Sequence, residues 1–380
     1  MVDVTERLRV AVIGTGFVGP HHVDAARRTG LADVVAVAGS SVERAAPVAE
    51  RLGIEDVRTA DELLADPTID VLHICTPNAS HADLGRRALE AGKHVMMEKP
   101  LALDGIEAED LRRRAADAGL HAAVAFTYRG YPMVRRARAD ARDGKLGDLR
   151  IAFGAYLQDW LLEEGDYNWR VDPAAGGRSR AVADIGSHWF DTVEHVSGLR
   201  VTEVMADLRT FITSRIRPRG TTTTFDRGAG GDSVAIHSED AASILLRFEG
   251  GAMGTFLISQ IAAGHANDFS WELMGSRASL MWRQEDPELL RYSERDVGSV
   301  TVRRVPSDAP VPGVPSLPAG HPEGWSDALR DLFRDLYASI LRGQPPGPDQ
   351  PYPTFADGER AVRFVDAVLR SAERGAWEPV

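Results

Sequence analysis

Residues Leu8–Gly19 read LRVAVIGTGFVG. The run Leu8–Ile13 is apolar apart from Arg9 and predicts a strand. It passes directly into Gly14-Thr15-Gly16-Phe17-Val18-Gly19, a G-x-G-x-x-G spacing between a strand and a helix. The first glycine permits the tight turn. The second lets a pyrophosphate approach the backbone, and the third lets the helix pack closely. The helix N-terminus offers free N–H groups and a positive dipole end to phosphate. Gly14, Thr15, Gly16, Phe17 and Val18 are therefore candidate cofactor-binding residues. His21 and His22 fall early in that helix and are expected to pack or to face solvent.

Val34–Ala38 is the expected second strand. A fold that prefers NAD places an acid at the end of this strand, for the ribose 2′-hydroxyl. The chain instead reads Gly39-Ser40-Ser41, with Arg44 shortly after. Small hydroxyl residues and a guanidinium suit a 2′-phosphate, so the sequence leans to NADP with NAD left open. The competing reading is a plain Gly-Ser turn with Arg44 on a solvated helix face. Val71–Cys75 is an apolar strand ending in Thr76-Pro77-Asn78, with His81 opening the next helix. A further short strand, Lys93–Met97, runs into Glu98-Lys99-Pro100. Lys99 thus stands at the carboxyl end of a strand, the rim where open α/β sheets bind ligands. The last strand of the series, Ala122–Phe126, leads into Thr127 and Tyr128. Strand and helix alternate from residue 8 to about 128, which predicts a doubly wound parallel sheet over a domain of residues 1–130.

Beyond residue 130 strands dominate. Leu149–Leu157, Val201–Phe211, Ser233–Ile236, Ala241–Phe248, Gly251–Ile261, Asp268–Met274, Ala278–Trp282 and Leu289–Tyr292 all read as strands. The expectation for residues 131–380 is an α+β domain with a large, mostly antiparallel open sheet. Ser214–Gly231 reads as a solvated loop, Pro306–Pro322 as an extended connector, and Trp325–Arg342 and Asp357–Glu373 as closing helices. A single helix is expected from Val182 to about Ser197, stopped by Gly198. Asp184 and His188, four apart, would share a face of that helix. A carboxylate that orients an imidazole suits a general base. Tyr156, Gln158, Trp160, Tyr167 and Trp169 are candidates for a ring-stacking, hydroxyl-binding wall, with core packing as the equal alternative.

Together these stretches resemble the Gfo/Idh/MocA oxidoreductases, over nearly the whole chain. The likeness rests on Val10–Gly19, Thr76-Pro77-Asn78 with His81, Lys93–Pro100 and Asp184-Ile185-Gly186-Ser187-His188. It implies a Rossmann domain followed by a substrate domain whose open sheet serves a homodimer or homotetramer. By that likeness Lys99 and His188 are catalytic and touch the reacting hydroxyl or carbonyl, with Asp184 alongside; Tyr128, Tyr156 and Trp160 are further substrate candidates. Glu98, Thr76, Pro77, Asn78 and His81 would lie along the dinucleotide, as would Thr127, Trp169 and Arg170. Thr127 stands where relatives often carry Asn. The implied activity is hydride transfer between a nicotinamide and a secondary hydroxyl or carbonyl of a sugar, sugar derivative or cyclitol. Two alternatives stay open: a hydrolase or lyase using bound NAD as a transient oxidant, and a non-catalytic NADP sensor.

The bulk composition fits this reading. Lys+Arg number 44 against Asp+Glu 56, a net charge of −12, which argues against nucleic acid or an anionic membrane as partner. A single cysteine, Cys75, rules out an internal disulfide and a Cys-based zinc cluster. No run of apolar residues is long enough to span a bilayer, and the expected location is the cytoplasm.

Overall fold

The computed structural model describes residues 7–219, 230–305, 317–318, 320–347 and 350–380. The chain forms two compact units. One runs to Gly130 and includes Trp325–Glu359; the other comprises Tyr131–Gly324 and Arg360–Val380.

The first unit alternates strand and helix. Its elements are β1 (Leu8–Ile13), α1 (Val18–Arg28), β2 (Ala32–Ala38), α2 (Val42–Leu52), β3 (Val57–Arg58), α3 (Ala60–Ala65), β4 (Val71–Ile74), α4 (His81–Glu90), β5 (His94–Met97), α5 (Gly105–Ala118) and β6 (Ala122–Val124). The sheet order is β3-β2-β1-β4-β5-β6, with every pairing parallel. The order reverses between β1 and β4, so the crevice at their carboxyl ends is the expected ligand site. All four side chains of β4 are buried, as helices on both faces of a parallel sheet require.

The second unit opens with α6 (Pro132–Arg142) and β7 (Leu149–Leu157). A short helix, α7 (Pro173–Gly176), precedes a single π-type turn at Val182–Gly186 and then α8 (Ser187–Ser197). The strands β8 (Val201–Arg209), β9 (Ser214–Pro218), β10 (Gly231–Ala235), β11 (Ala241–Phe248), β12 (Met253–Ser259), β13 (Asp268–Gly275), β14 (Ala278–Arg283), β15 (Leu289–Glu294) and β16 (Gly298–Arg303) follow. Last come α9 (Trp325–Leu341), α10 (Phe355–Arg374) and β17 (Glu378–Pro379). Nine strands join in the order β16-β15-β14-β13-β7-β12-β11-β8-β17. Only β7–β12 is parallel within that sheet; the remaining pairs are antiparallel. One face is packed: Trp189 stacks on Phe256 at 4.1 Å between ring centroids, and Phe190 on Phe364 at 4.3 Å. Along β11 burial alternates strictly, which leaves the other face open.

Three sequence expectations need correction. The second domain is not the continuous span 131–380, because α9 belongs to the first unit. Its Leu329, Leu332, Phe333, Leu336 and Tyr337 pack in one buried cluster with Val10, Val12, Val23 and Ala26. An amphipathic helix does not name the sheet it covers, so the sequence pattern could not assign it. Ser214–Gly231 is not simply a loop: its ends are β9 and β10, paired antiparallel from Ser214↔Ala235 to Pro218↔Gly231. The charged residues of β9 concealed the pattern. The expected helix Val182–Ser197 begins as the π-type turn, where Asp184 N–H bonds Arg180 O and Ser187 Oγ donates to Ala183 O. Most of the proline-rich connector lies outside the described residues.

Candidate active site

The first unit builds a dinucleotide cradle from strand ends. Gly14 adopts φ +113°, and a Cβ there would collide with the carbonyl of Cys75 at the end of β4. A Cβ on Gly19 would collide with Gly14 O, so α1 packs against the loop as the fingerprint demands. Around Gly16 a Cβ would meet nothing within 4 Å. Phe17, the N-cap of α1, makes no side-chain cap bond, and the first turn carries no acid. Backbone N–H groups at this helix end are thus open to an anion, and the loop leaves room for one to approach. The residues present fit a dinucleotide pyrophosphate.

At the end of β2, a Cβ on Gly39 would lie 2.8 Å from Thr15 Oγ1 and 3.0 Å from Ala45 Cβ. Ser41 caps α2, its hydroxyl accepting from Arg44 N–H at 3.3 Å, and the Arg44 side chain is exposed beside it. At the end of β4, Ser80 Oγ lies 2.7 Å from Thr76 Oγ1 and 2.9 Å from Pro77 O, while Asn78 is buried in the same turn. His81 is fully buried, with Nδ1 2.7 Å from Pro100 O and Nε2 2.9 Å from Thr76 O. Burial lowers its pKa, against the pull of both carbonyls. The ring therefore clips the loop after β4 to the loop after β5, and its nitrogens are turned inward rather than toward a ligand. Glu98 and Lys99 are half-buried at the end of β5. Thr127 and Tyr128 are buried beyond β6, the Thr127 hydroxyl bonding Ala125 O at 3.4 Å.

In the second unit Asp184 is held at both oxygens. Arg170 Nε donates to Oδ1 at 3.2 Å and Gln260 Nε2 to Oδ2 at 2.7 Å. Arg170 also stacks on the Trp169 ring at 4.5 Å and bonds Asn168 Oδ1. The loop residues named for the nicotinamide end are thus fastened to the candidate catalytic carboxylate. His188, the second residue of α8, lies two residues beyond the π-type turn and is buried. Single π turns of this kind are frequent at functional sites.

The aromatic set is partly core. Tyr156 is buried against Phe269, and its hydroxyl donates to Asn267 Oδ1 at 2.8 Å. Gln158 Nε2 donates to the same oxygen, and Trp160 Nε1 to Gln158 Oε1. Tyr167 Oη accepts from Arg217 Nε at 3.0 Å. Beneath this loop lies a charged knot that the sequence did not reveal. Arg180 and Arg215, both fully buried, pair with Asp240. Arg215 also donates to the carbonyls of Leu161, Glu163 and Asp166. Glu239 accepts from Ser179 Oγ and from the N–H groups of Arg180 and Val182. Burial pushes the Glu239 carboxyl up. Gln260, Arg215 and Asp240 come from strands or turns far along the chain, and no local spacing marks them.

A doubly wound sheet with a phosphate-ready first loop, joined to an open-sheet unit bearing Asp184 and His188, defines a nicotinamide-dependent oxidoreductase. The profile described as "Oxidoreductase family, NAD-binding Rossmann fold" matches residues 8–126, and that of the GFO/IDH/MocA C-terminal domain matches residues 134–281. The chain belongs to the GFO/IDH/MocA oxidoreductase family. It is 30% identical to levoglucosan dehydrogenase of Pseudarthrobacter phenanthrenivorans, covering 99% of this chain and 98% of that one. The structure of levoglucosan dehydrogenase with NADH and L-sorbose superposes with a TM-score of 0.88 at 29% identity, over 98% of this chain and 99% of the other. An inositol dehydrogenase homologue from Azotobacter vinelandii, solved with NAD+, gives 0.85 at 28% identity, over 100% and 98%.

Proposed function

We propose that the enzyme oxidises a secondary hydroxyl of a sugar, sugar derivative or cyclitol to the carbonyl, and catalyses the reverse reduction. The observation that carries this reading is the full-length likeness to a dehydrogenase solved with NADH and a sugar, in a chain that presents Lys99, Asp184 and His188. The bound nicotinamide supplies the hydride acceptor. His188 takes the hydroxyl proton as the C–H bond yields its hydride. Lys99 is the candidate donor to a substrate oxygen and would stabilise its developing charge. Asp184, fixed by Arg170 and Gln260, stabilises the imidazolium that forms. The test is a screen of anhydrosugars, pyranoses, glycosides and inositols with NAD+ and NADP+, following nicotinamide absorbance. Reduced nicotinamide accumulating with one of them supports the reading. Turnover without net absorbance change would instead select the transient-oxidant hydrolase or lyase.

The finer reading of the cofactor is NADP. Gly39 offers no carboxylate to a ribose 2′-hydroxyl, and Arg44 stands exposed in the first turn of α2. A 2′-phosphate there would meet both a cation and a helix N-terminus. Fluorescence titration should show NADPH binding more tightly than NADH. Arg44→Ala should narrow the gap by roughly 1–3 kcal/mol. Tighter NADH binding in the wild type would overturn this.

The open face of the second sheet is the expected interface of a homodimer or homotetramer. Ile151 and Phe153 on β7, Met253 and Leu257 on β12, and Leu245 on β11 are exposed on neighbouring central strands. An apolar patch of this kind on a sheet face is a typical association surface.

A further inference from the structure

Four side chains of the first unit join end to end beneath the candidate site. Tyr337 Oη lies 2.7 Å from His73 Nε2. His73 Nδ1 lies 2.9 Å from His22 Nδ1, and His22 Nε2 lies 3.0 Å from Glu98 Oε1. Glu98 Oε2 then accepts from the backbone N–H of Lys99 at 3.2 Å. Tyr337, His73 and His22 are completely buried, and Phe333 packs edge-on against both imidazoles. These residues come from α9, β4, α1 and the end of β5, so the chain of bonds ties four elements to one peptide group.

The polarity of the chain follows from counting protons. Among the described residues Tyr337 Oη has one hydrogen-bond partner, His73 Nε2. Were His73 Nε2 the donor, the Tyr337 hydroxyl hydrogen would be buried without an acceptor, which is costly. Tyr337 therefore donates. With its ring neutral, His73 then carries its proton on Nδ1 and donates to His22 Nδ1. His22 carries its proton on Nε2 and donates to the Glu98 carboxylate. Every donor meets an acceptor in this one arrangement. Burial holds the His73 pKa well below the ordinary histidine value and pushes the Tyr337 hydroxyl up. Burial makes Tyr337 a tighter holder of its proton, which suits a chain that orients groups.

We propose that Tyr337, His73 and His22 form a one-directional hydrogen-bond relay that holds the Glu98 carboxylate against the Lys99 peptide, making them positioning residues for Lys99. The proposal rests on the reading of Lys99 as the donor to the substrate oxygen. His81 braces the other neighbour of Lys99 through Pro100 O, so both flanks of the lysine are tied to buried histidines.

The test is ¹⁵N spectroscopy of histidine-labelled enzyme, with His22→Gln to assign the rings. The expected result is His22 protonated on Nε2 and His73 on Nδ1. In Tyr337→Phe, His73 should lose its single tautomer and the Lys99 amide resonance should move. Single-turnover hydride transfer, with the sugar found by the screen, should fall about tenfold while cofactor affinity is little changed. A merely structural tyrosine would lower the melting temperature and leave the Lys99 amide in place. The opposite tautomers in the wild type, or an unmoved Lys99 amide in folded Tyr337→Phe, would overturn the relay. The wild-type tautomers decide it even if Tyr337→Phe does not fold. Near-normal hydride transfer in Lys99→Ala would instead remove the catalytic reading and leave the tautomer result standing.

Discussion

The smallest changes with the largest expected effects are at Lys99 and His188. Removing a preorganised donor at a developing oxyanion costs roughly 100- to 1000-fold in rate, and Lys99→Ala should fall in that range. His188→Ala should lose roughly 100- to 10,000-fold as a missing general base. Single-turnover hydride transfer, measured beside cofactor titration, separates both from a binding defect. If both variants keep near wild-type rates, the sensor alternative becomes the better account. Gly39 makes a second residue-scale prediction. Gly39→Asp alone should not confer NAD preference, because its Cβ meets Thr15 Oγ1 at 2.8 Å. Gly39→Asp with Thr15→Ala and Ala45→Gly removes both close contacts, and NADH should then bind more tightly than NADPH. A switch achieved by the single substitution would contradict the steric argument.

Among the elements, β4, β5 and α4 concentrate imidazoles withdrawn from water: His73 and His81 are buried and His94 half-buried, with buried His121 just ahead of β6. Burial lowers the pKa of each, that of His94 from 6.5 to about 4, with help from neighbouring His121. Below about pH 6.5 the unfolded chain takes up protons that the folded unit refuses. Stability is therefore full above that pH and falls as pH drops toward 4, by on the order of 3 kcal/mol from His94 alone. Denaturant midpoints at pH 7 and 4.5 measure it. His94→Asn should flatten the dependence, and an equal slope in wild type and variant would refute the assignment. The sequence showed the elements well where glycine punctuation and apolar periodicity coincide, as at Gly14–Gly19 and Lys93–Met97. It marked Asp184 and His188 by their spacing but gave no sign of Arg170 and Gln260 on the carboxylate. Nor did it show that His22 and His73 touch, for they stand on α1 and β4, and only packing brings them together. Charge hid β9, because Arg215 points into the protein to hold three loop carbonyls rather than into solvent. No helix among the described residues is long and apolar enough to cross a membrane.

For the whole molecule, the open sheet face makes the clearest prediction. Light scattering at micromolar concentration should find a dimer or tetramer. Charges introduced at the centre of the patch, Phe153→Glu with Leu257→Glu, should dissociate it, since a buried unpaired carboxylate costs several kcal/mol. A wild-type monomer would refute the interface. The sequence pointed to an open sheet through the run of strands beyond residue 130, but which residues face outward became visible only in the assembled sheet.

The placement of α9 also governs how the protein comes into being during synthesis. When residue 130 leaves the ribosome, every strand of the parallel sheet has been made, yet Leu329, Leu332, Phe333, Leu336 and Tyr337 are still untranslated. The nascent first unit must wait, with part of its apolar core uncovered, through the synthesis of nearly two hundred further residues. It is at that stage, rather than as the finished enzyme, that the chain has most need of a chaperone.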